Sequence, residues 1–292
     1  MSRDETRARA PAASAAPRRP LGARGYAVCL GGIVWRELLR FVQQKERFLS
    51  ALVRPLVWLF IFAAGFRSAL GVSIIPPYDT YVLYEVYVTP GLAVMIQLFN
   101  GMQSSLSMVY DREVGSMRVL LTSPFPRWWL LFSKLIAGVA VSLVQVYVFL
   151  AVAWAWGVEI PPSGYLLALP AFVVTGFMLG SIGLVISSLV RQLENFASVM
   201  NFVIFPMFFA SSALYPLWRV RDASETLYLV CLLNPFTHAV ELARFALYGA
   251  FDPRAAAVVA ATTLVFFALA VAAYDPGRGV MGLRGGPKGD AQ

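Results

Sequence analysis

The sequence predicts an all-α integral membrane protein with six transmembrane helices, and three observations support this class. Of the 292 residues, 59% are hydrophobic and 14% are charged, whereas soluble domains use about 45–50% apolar and about 25% charged residues. The mean hydropathy is +0.67. Six apolar stretches are long enough to cross roughly 30 Å of hydrocarbon; they cover residues 50–70, 88–108, 130–156, 166–189, 196–215 and 255–274.

The distribution of Lys and Arg predicts how these spans are oriented. With six crossings, 18 Lys and Arg residues fall on the side of the N-terminus and five fall on the other side. Because cytoplasmic loops carry the excess of basic residues, both termini are predicted to be cytoplasmic. The net charge of +8 therefore indicates contact with anionic lipid headgroups at the inner membrane surface, and no nucleic-acid partner is expected.

The N-terminal tail, residues 1–24, is rich in Ala, Arg and Pro. It cannot bury a core and is predicted to be a disordered basic cytoplasmic tail. No cleaved signal is expected, because no apolar core follows its first basic residues, and Asp4 and Glu5 argue against a transit peptide.

Residues 25–48 are predicted to form an amphipathic helix. Leu30, Val34 and Leu38 share one side of it, and Arg36 and Arg40 lie opposite. Such a helix either packs on protein or lies in the membrane interface. Because a span begins at once after it, an interfacial helix is favoured.

Within the transmembrane domain, residues 49–274, two spans have distinctive polar or small residues. The second span is the least apolar, since it contains Pro90, Gln97, Asn100 and Gln103. The fourth span places small residues on neighbouring turns, which predicts close approach of another helix; these are Gly176, Gly180, Gly183 and Ser187.

The outer segment between spans five and six, residues 216–254, contains two apolar stretches divided by Asn234 and Pro235. Each stretch is too short to cross the bilayer, and proline removes a backbone donor at the division. An outer re-entrant or interfacial helical hairpin is therefore predicted. Residues 275–292 are Gly-rich and predicted to be a flexible cytoplasmic tail.

Several classes of chemistry are disfavoured by what the spans lack. None of the six predicted spans contains Asp or Glu, which argues against an ion-coupled transporter. The single histidine, His238, is expected to be a hydrogen-bonded helix residue, since one histidine alone cannot build a metal site. Cys29 and Cys231 fall on opposite sides of the membrane and cannot pair. No catalytic residue, metal site or cofactor is predicted in this chain.

An energy source is also absent from the sequence. There is no phosphate-binding loop of the Walker A type, and the dipeptide Gly-Lys that it requires does not occur. If the protein does work, the energy is expected to come from a partner.

A charged island, "YDREVGSMRVLLTSPFPRWW", separates the second and third spans. Asp111 and Glu113 suit the positive end of a helix that begins there. Pro124 disfavours helix at the residue before it. The island is interpreted either as a short amphipathic cytoplasmic helix or as a solvated loop.

Two separated motifs resemble one known family. The run "YDREVGSMRVLLTSPFPRWWLLFSKLIAG" resembles the cytoplasmic loop of the ABC type-2 exporter permeases, in which acid, base, acid, glycine and a later Leu-Leu-Thr-Ser-Pro recur. "MNFVIFPMFFASSALYPL", followed by "LLNPFTHAVELAR", is similar to that family's fifth span and outer segment. The matching outer positions are Asn234, Pro235, Phe236 and Arg244. The likeness covers residues 30–275, with a departure at "ASSALYP", where members often have Ser-Gly.

The resemblance implies a permease subunit of an ATP-binding cassette exporter in the bacterial cytoplasmic (inner) membrane, with residues 49–274 as the ABC type-2 domain. Two permease copies would work with two copies of a separate ATPase subunit, which binds ATP and Mg and hydrolyses the ATP. The island would be the coupling helix that docks on that ATPase, through Asp111, Arg112, Glu113, Gly115, Ser116 and Met117.

The resemblance also implies a substrate path where two permeases meet, formed mainly by spans one, two and five. Its candidate residues, for which hydrogen bonding between helices is an equal alternative, are Gln97, Asn100, Gln103, Asn201, Ser211 and Ser212. The expected substrate is amphiphilic or hydrophobic: a drug, lipid, glycolipid or polysaccharide. A rival interpretation is an integral-membrane enzyme or assembly factor without its own energy source.

Overall fold

The computed structural model describes residues 22–43, 45–66, 76–78, 83–113, 125–190 and 193–274. Over these ranges every regular element is helical, and no strand occurs. In chain order the helices are α1 (Ala23–Gln43), α2 (Lys45–Phe66), α3 (Tyr84–Glu113), α4 (Arg127–Ala155), α5 (Pro162–Leu189), α6 (Leu193–Phe209), α7 (Leu217–Ala223), α8 (Glu225–Leu233), α9 (Pro235–Leu247) and α10 (Pro253–Ala273).

Three of the described helices, α4, α5 and α10, are long and apolar enough to cross a membrane. The pair α8 and α9 passes the same test only as a unit, and it is bent by 75° at the break between them. Shorter apolar helical segments are Ala51–Ile61 in α2 and Glu194–Phe209 in α6. By length and composition the described residues therefore contain three spans, or four if the bent pair is one span, which is fewer than the six predicted.

Helix α3 lies at the centre of the fold. It has 30 residues, which is about 45 Å of helix, and its residues from Glu85 to Asn100 are almost all buried. Its main neighbour is α5. A Cβ added at Gly183 would lie 2.6 Å from the carbonyl oxygen of Gly101, and one added at Gly101 would lie 3.0 Å from the backbone of Leu179. The predicted close approach of small residues is confirmed.

Aromatic and aliphatic side chains fill the space around α3. The largest buried ones include Tyr87, Phe149, Phe172, Phe208 and Phe236. A second apolar cluster, near the C-terminal end of α3, joins α3 to α4, α5 and α10. Lipid tails are as apolar as these side chains, so packing contacts rather than removal from water stabilise such a core.

Helix α1 runs along the outside of the helical core. No residue of α1 is buried, and Tyr26 packs edge-on against Phe125 and Trp129, with ring centroids 5.4 and 5.3 Å apart. Trp35 and Val42 remain 64% and 67% exposed. The amphipathic helix is present, but it ends at Gln43 rather than at residue 48, since the chain from Lys45 onward belongs to α2.

Candidate functional site

Asn234 fixes the break between α8 and α9. Its Oδ1 accepts a hydrogen bond from the backbone N–H of Phe236 at 3.0 Å, which caps α9. Its Nδ2 donates to the carbonyl oxygens of Met207 and Ala210, each at 2.7 Å. Pro235 occupies the first turn of α9, where a missing N–H costs nothing. One side chain therefore starts α9 and ties it to the end of α6.

Arg244 lies in the interior, with 1% of its surface exposed. Its Nη1 donates to Oε1 of Glu241 at 2.5 Å, and its Nη2 donates to the carbonyl oxygen of Ser212 at 2.8 Å. The guanidinium carbon lies 4.0 Å from the ring centroid of Tyr87. A buried charge is tolerated only when it is paired and hydrogen-bonded. These four residues, the arginine cluster, join α9 to α3 and to the segment after α6.

Two tyrosines of α3 complete this connection. The hydroxyl of Tyr87 donates to the carbonyl oxygen of Ser212 at 3.0 Å, and that of Tyr84 donates to the carbonyl oxygen of Leu214 at 2.5 Å. Sequence reasoning missed both tyrosines and Glu241. The available signal was the spacing of three residues, which places the two tyrosines on one helix face.

Gln97, predicted for the substrate path, has its hydrogen-bonding groups occupied by α5. Its Nε2 donates to the carbonyl oxygen of Phe172 at 2.6 Å, and its Oε1 accepts from the hydroxyl of Thr175 at 2.7 Å. For this residue the structure agrees with the alternative that the sequence left open, which is hydrogen bonding between helices.

The other predicted path residues do not converge on one point. Ser211 donates to the carbonyl oxygen of Phe208 at 2.6 Å, and Ser212 is buried in the arginine cluster. Asn201 is exposed on α6. Asn100 and Gln103 line a cavity of about 270 Å³ between α1, α3 and α4. Nδ2 of Asn100 also donates to Oε1 of Gln145 on α4, so this residue too makes a hydrogen bond between helices.

The structure describes only part of the predicted coupling segment. Gly115, Ser116 and Met117 lie outside the described residues, as do the side chains of residues 111–113. The backbone of Asp111, Arg112 and Glu113 forms the last turn of α3. The prediction that a helix begins at Asp111 is therefore wrong, because α3 continues through these polar residues and places them at its negative rather than its positive end.

The end of α3 lies beside the start of α4. There Nζ of Lys134 is 2.9 Å from Sδ of Met108. The last described residues of α3 and the first turns of α4 therefore lie at the end of the helical core opposite the arginine cluster.

Possible metal ligands are sparse. Among the residues that the structure describes, no group of three or more His, Cys, Asp or Glu side chains could hold a metal ion. Nε2 of His238 lies 2.9 Å from the carbonyl oxygen of Leu232, so this histidine is hydrogen-bonded as predicted. Cys29 and Cys231 are free cysteines.

Comparison with known proteins places these features in a family. The family model for ABC-2 type transporters matches residues 30–248. A Cyanophora paradoxa protein described as a transport permease, ycf38, is 28% identical over 218 residues, which are 70% of this chain and 70% of that protein. An Escherichia coli K12 protein described as a multidrug ABC transporter permease, YbhR, is 30% identical over 170 residues, or 57% of this chain and 45% of that protein.

A third relative is nodulation protein J of Rhizobium leguminosarum bv. viciae, which is 23% identical over 232 residues, or 75% of this chain and 84% of that protein. The family match takes in the helices from α1 to α9, with the arginine cluster and the segment after α3. This chain therefore belongs to the ABC-2 type transporter family and is a multi-pass transmembrane subunit of a transporter.

Proposed function

We propose that the chain is the permease subunit of an ATP-binding cassette exporter, and that it moves an amphiphilic or hydrophobic substrate across the bacterial inner membrane. The observation that carries the proposal is the family match, which extends from α1 to the end of α9. Two relatives bear names that describe permeases, one of them for multiple drugs. ATP hydrolysis is assigned to a separate ATPase subunit.

Six spans are proposed: α2, α3, α4, α5, α6 and α10. An even number of spans would put both termini on the same side of the membrane, and the Lys and Arg excess supports the cytoplasmic side. Helices α8 and α9 have 9 and 13 residues, or about 14 and 20 Å. Each is too short to cross alone, and the 75° bend at their break supports a hairpin that enters and leaves from the outer side.

Two copies of the permease are proposed to meet through α2 and α6. Large apolar side chains on both helices are exposed in the single chain, among them Val57, Ile61 and Phe202 at 45%, 58% and 80%. The exposed amide of Asn201 would then face the shared substrate path. The complete exporter would contain two permeases and two ATPase subunits.

Helix α3 offers a direct mechanical connection for coupling. It is continuous from Tyr84, beside the arginine cluster, to Glu113, next to the segment proposed to dock on the ATPase. Its contact with α5 is too close to deform easily, as the Gly101 and Gly183 geometry indicates. Force applied near Glu113 would therefore move α3 as a rod and act on the outer hairpin.

The test is copurification of an ATPase. An affinity-tagged wild-type chain, purified from its own membranes, should bring down an ATPase polypeptide identified by mass spectrometry. The double variant Glu113→Lys, Gly115→Trp should lose that polypeptide and its ATP turnover, because charge and close approach at the docking segment are both changed.

The matched control is Glu225→Lys, which reverses an exposed acidic residue in the first turn of α8. It should retain the ATPase fully. If the double variant copurifies with as much ATPase as the wild type does, the docking assignment is refuted.

A further inference from the structure

The cavity between α1, α3 and α4 has a mixed polar lining. Its volume is about 270 Å³, and the described residues that line it include Glu37 and Arg40 from α1, Asn100 and Ser107 from α3, and Gly138 from α4. Sites that enclose a whole small molecule measure about 300–1,000 Å³. This cavity is therefore suited to one polar group of a larger molecule.

The α1 wall provides one positive and one negative side chain. Nη1 of Arg40 lies 3.6 Å from Oε1 of Glu37. Arg36 also pairs with Glu37, at 3.2 Å, but it does not line the cavity. Because an acid and a base stand side by side, this wall suits a group that carries both charges better than a purely anionic one.

The α3 wall adds neutral hydrogen-bonding groups. Asn100 is 7% exposed, and its Nδ2 donates to the carbonyl oxygen of Ile96 at 3.2 Å, which holds the amide in place. The hydroxyl of Ser107 donates to the carbonyl oxygen of Ser104 at 2.8 Å, which leaves its own oxygen as an acceptor.

The position of α1 indicates where the bound molecule comes from. Trp35 and Val42 expose apolar surface on this helix, as expected for a helix that lies in the membrane interface. The cavity is beside it, at the end of α3 nearest Glu113. In the proposed orientation this is the headgroup level of the inner leaflet, so the leaflet assignment rests on the proposed function.

We propose that this cavity binds the zwitterionic headgroup of an inner-leaflet phospholipid with a primary ammonium group. The phosphate pairs with Arg40, the ammonium donates to Glu37, and Ser107 accepts a further hydrogen bond. The acyl chains remain outside the cavity, along α1 and α4. A quaternary ammonium has no N–H to donate, so the primary ammonium headgroup binds in preference.

The experiment uses the purified full chain in nanodiscs of equal parts phosphatidylethanolamine, phosphatidylcholine and phosphatidylglycerol. After release into detergent, native mass spectrometry counts the lipids that remain bound. The wild type should retain at least threefold more phosphatidylethanolamine than either of the other two lipids. Arg40→Gln and Ser107→Phe should each reduce that enrichment to the level of the mixture.

Two matched controls separate binding from general damage. Arg36→Gln removes a side chain with the same 54% exposure and the same partner as Arg40, but away from the cavity. Ser188→Phe replaces another half-buried serine that bonds a carbonyl three residues before it, on α5. Both controls should keep the enrichment, and Arg40→Gln, an exposed position, should still elute as a single species.

Equal retention by the wild type and Arg40→Gln would overturn the proposal, as would enrichment of phosphatidylglycerol or of no lipid by the wild type. ATPase copurification is measured on the same preparations. If Arg40→Gln loses the bound lipid but retains the ATPase, the headgroup site is supported independently of docking. If the wild type brings down no ATPase, the proposed function is refuted, and the number of bound lipids stands as a separate result.

Discussion

Replacing Arg244 with methionine tests whether the arginine cluster stabilises the fold. Arg244→Met removes a charged hydrogen bond to the Ser212 carbonyl, worth about 1.5–3 kcal/mol, and a buried contact with the Tyr87 ring, worth about 2 kcal/mol. Glu241 is left without its cation, but its side chain is 21% exposed and can be rehydrated. We therefore expect Arg244→Met to lower the free energy of unfolding by about 3 kcal/mol, which is near the lower end of the range for breaking a buried ion pair.

The assay is thermal unfolding in nanodiscs, followed by tryptophan fluorescence. For a chain of this size about 1 kcal/mol corresponds to roughly 2–4 °C, so Arg244→Met should lower the unfolding temperature by roughly 6–12 °C. The control Arg221→Met removes an exposed arginine from α7, 5.7 Å from the ring of Tyr228, where the contact is worth about 0.5–1 kcal/mol. Equal shifts in the two variants would refute the argument that burial makes Arg244 stabilising.

Three further perturbations have distinct expected outcomes. Asn234→Asp should lower the unfolding temperature more than Asn234→Ala. Aspartate keeps the cap, but it replaces the donating amide by a charged oxygen that faces the carbonyl oxygens of Met207 and Ala210, whereas alanine leaves no like-charged atom there. Asp252→Asn, at a cap whose side chain only accepts hydrogen bonds, should leave the unfolding temperature unchanged. A smaller loss in Asn234→Asp than in Asn234→Ala would contradict the donor role. Gly183→Val should lower the free energy of unfolding by about 1–3 kcal/mol through overpacking and reduce the yield of monodisperse protein on size exclusion. Gly31→Val, at a position with open space around it, should do neither. Equal yields of the two variants would contradict the close contact between α3 and α5. In a Cys231→Ser variant, which leaves Cys29 as the one cysteine, Cys29 should react with a permeant maleimide but not with an impermeant one on intact cells. The reaction should become faster as pH rises, because burial raises the pKa of the Cys29 thiol. Labelling of this variant by the impermeant reagent would place α1 outside.

The apolar spans were the most predictable part of the fold. The predicted ranges 166–189 and 255–274 correspond to α5, Pro162–Leu189, and α10, Pro253–Ala273. Backbone groups in hydrocarbon have no water to bond to, so an apolar run of that length has to be helical whatever surrounds it.

The limits of α3 were less predictable. Hydropathy predicts residues 88–108, whereas the helix covers Tyr84–Glu113. Hydropathy measures affinity for lipid, but backbone hydrogen bonds of a helix continue through polar residues at both ends. This is why Asp111, expected to start a helix, instead lies in the last turn of one.

The candidate site was only partly accessible from sequence. The family resemblance identified Arg244, but not the groups that surround it, since Tyr87 and Ser212 are separated from Arg244 by 157 and 32 residues in the chain. The same resemblance named Gln97 as a path residue, whereas the structure turns its amide toward α5.

The sequence by itself determined that the chain is helical, lies in a membrane and belongs to a transporter class, because composition, apolar run length and local motifs are properties of short stretches of chain. The tertiary structure decided which polar residues are used within the protein and which line a cavity. A hydrogen bond or a charge pair depends on which helices meet, so Gln97 and Asn100, one turn apart on α3, bond to different helices, Gln97 to α5 and Asn100 to α4.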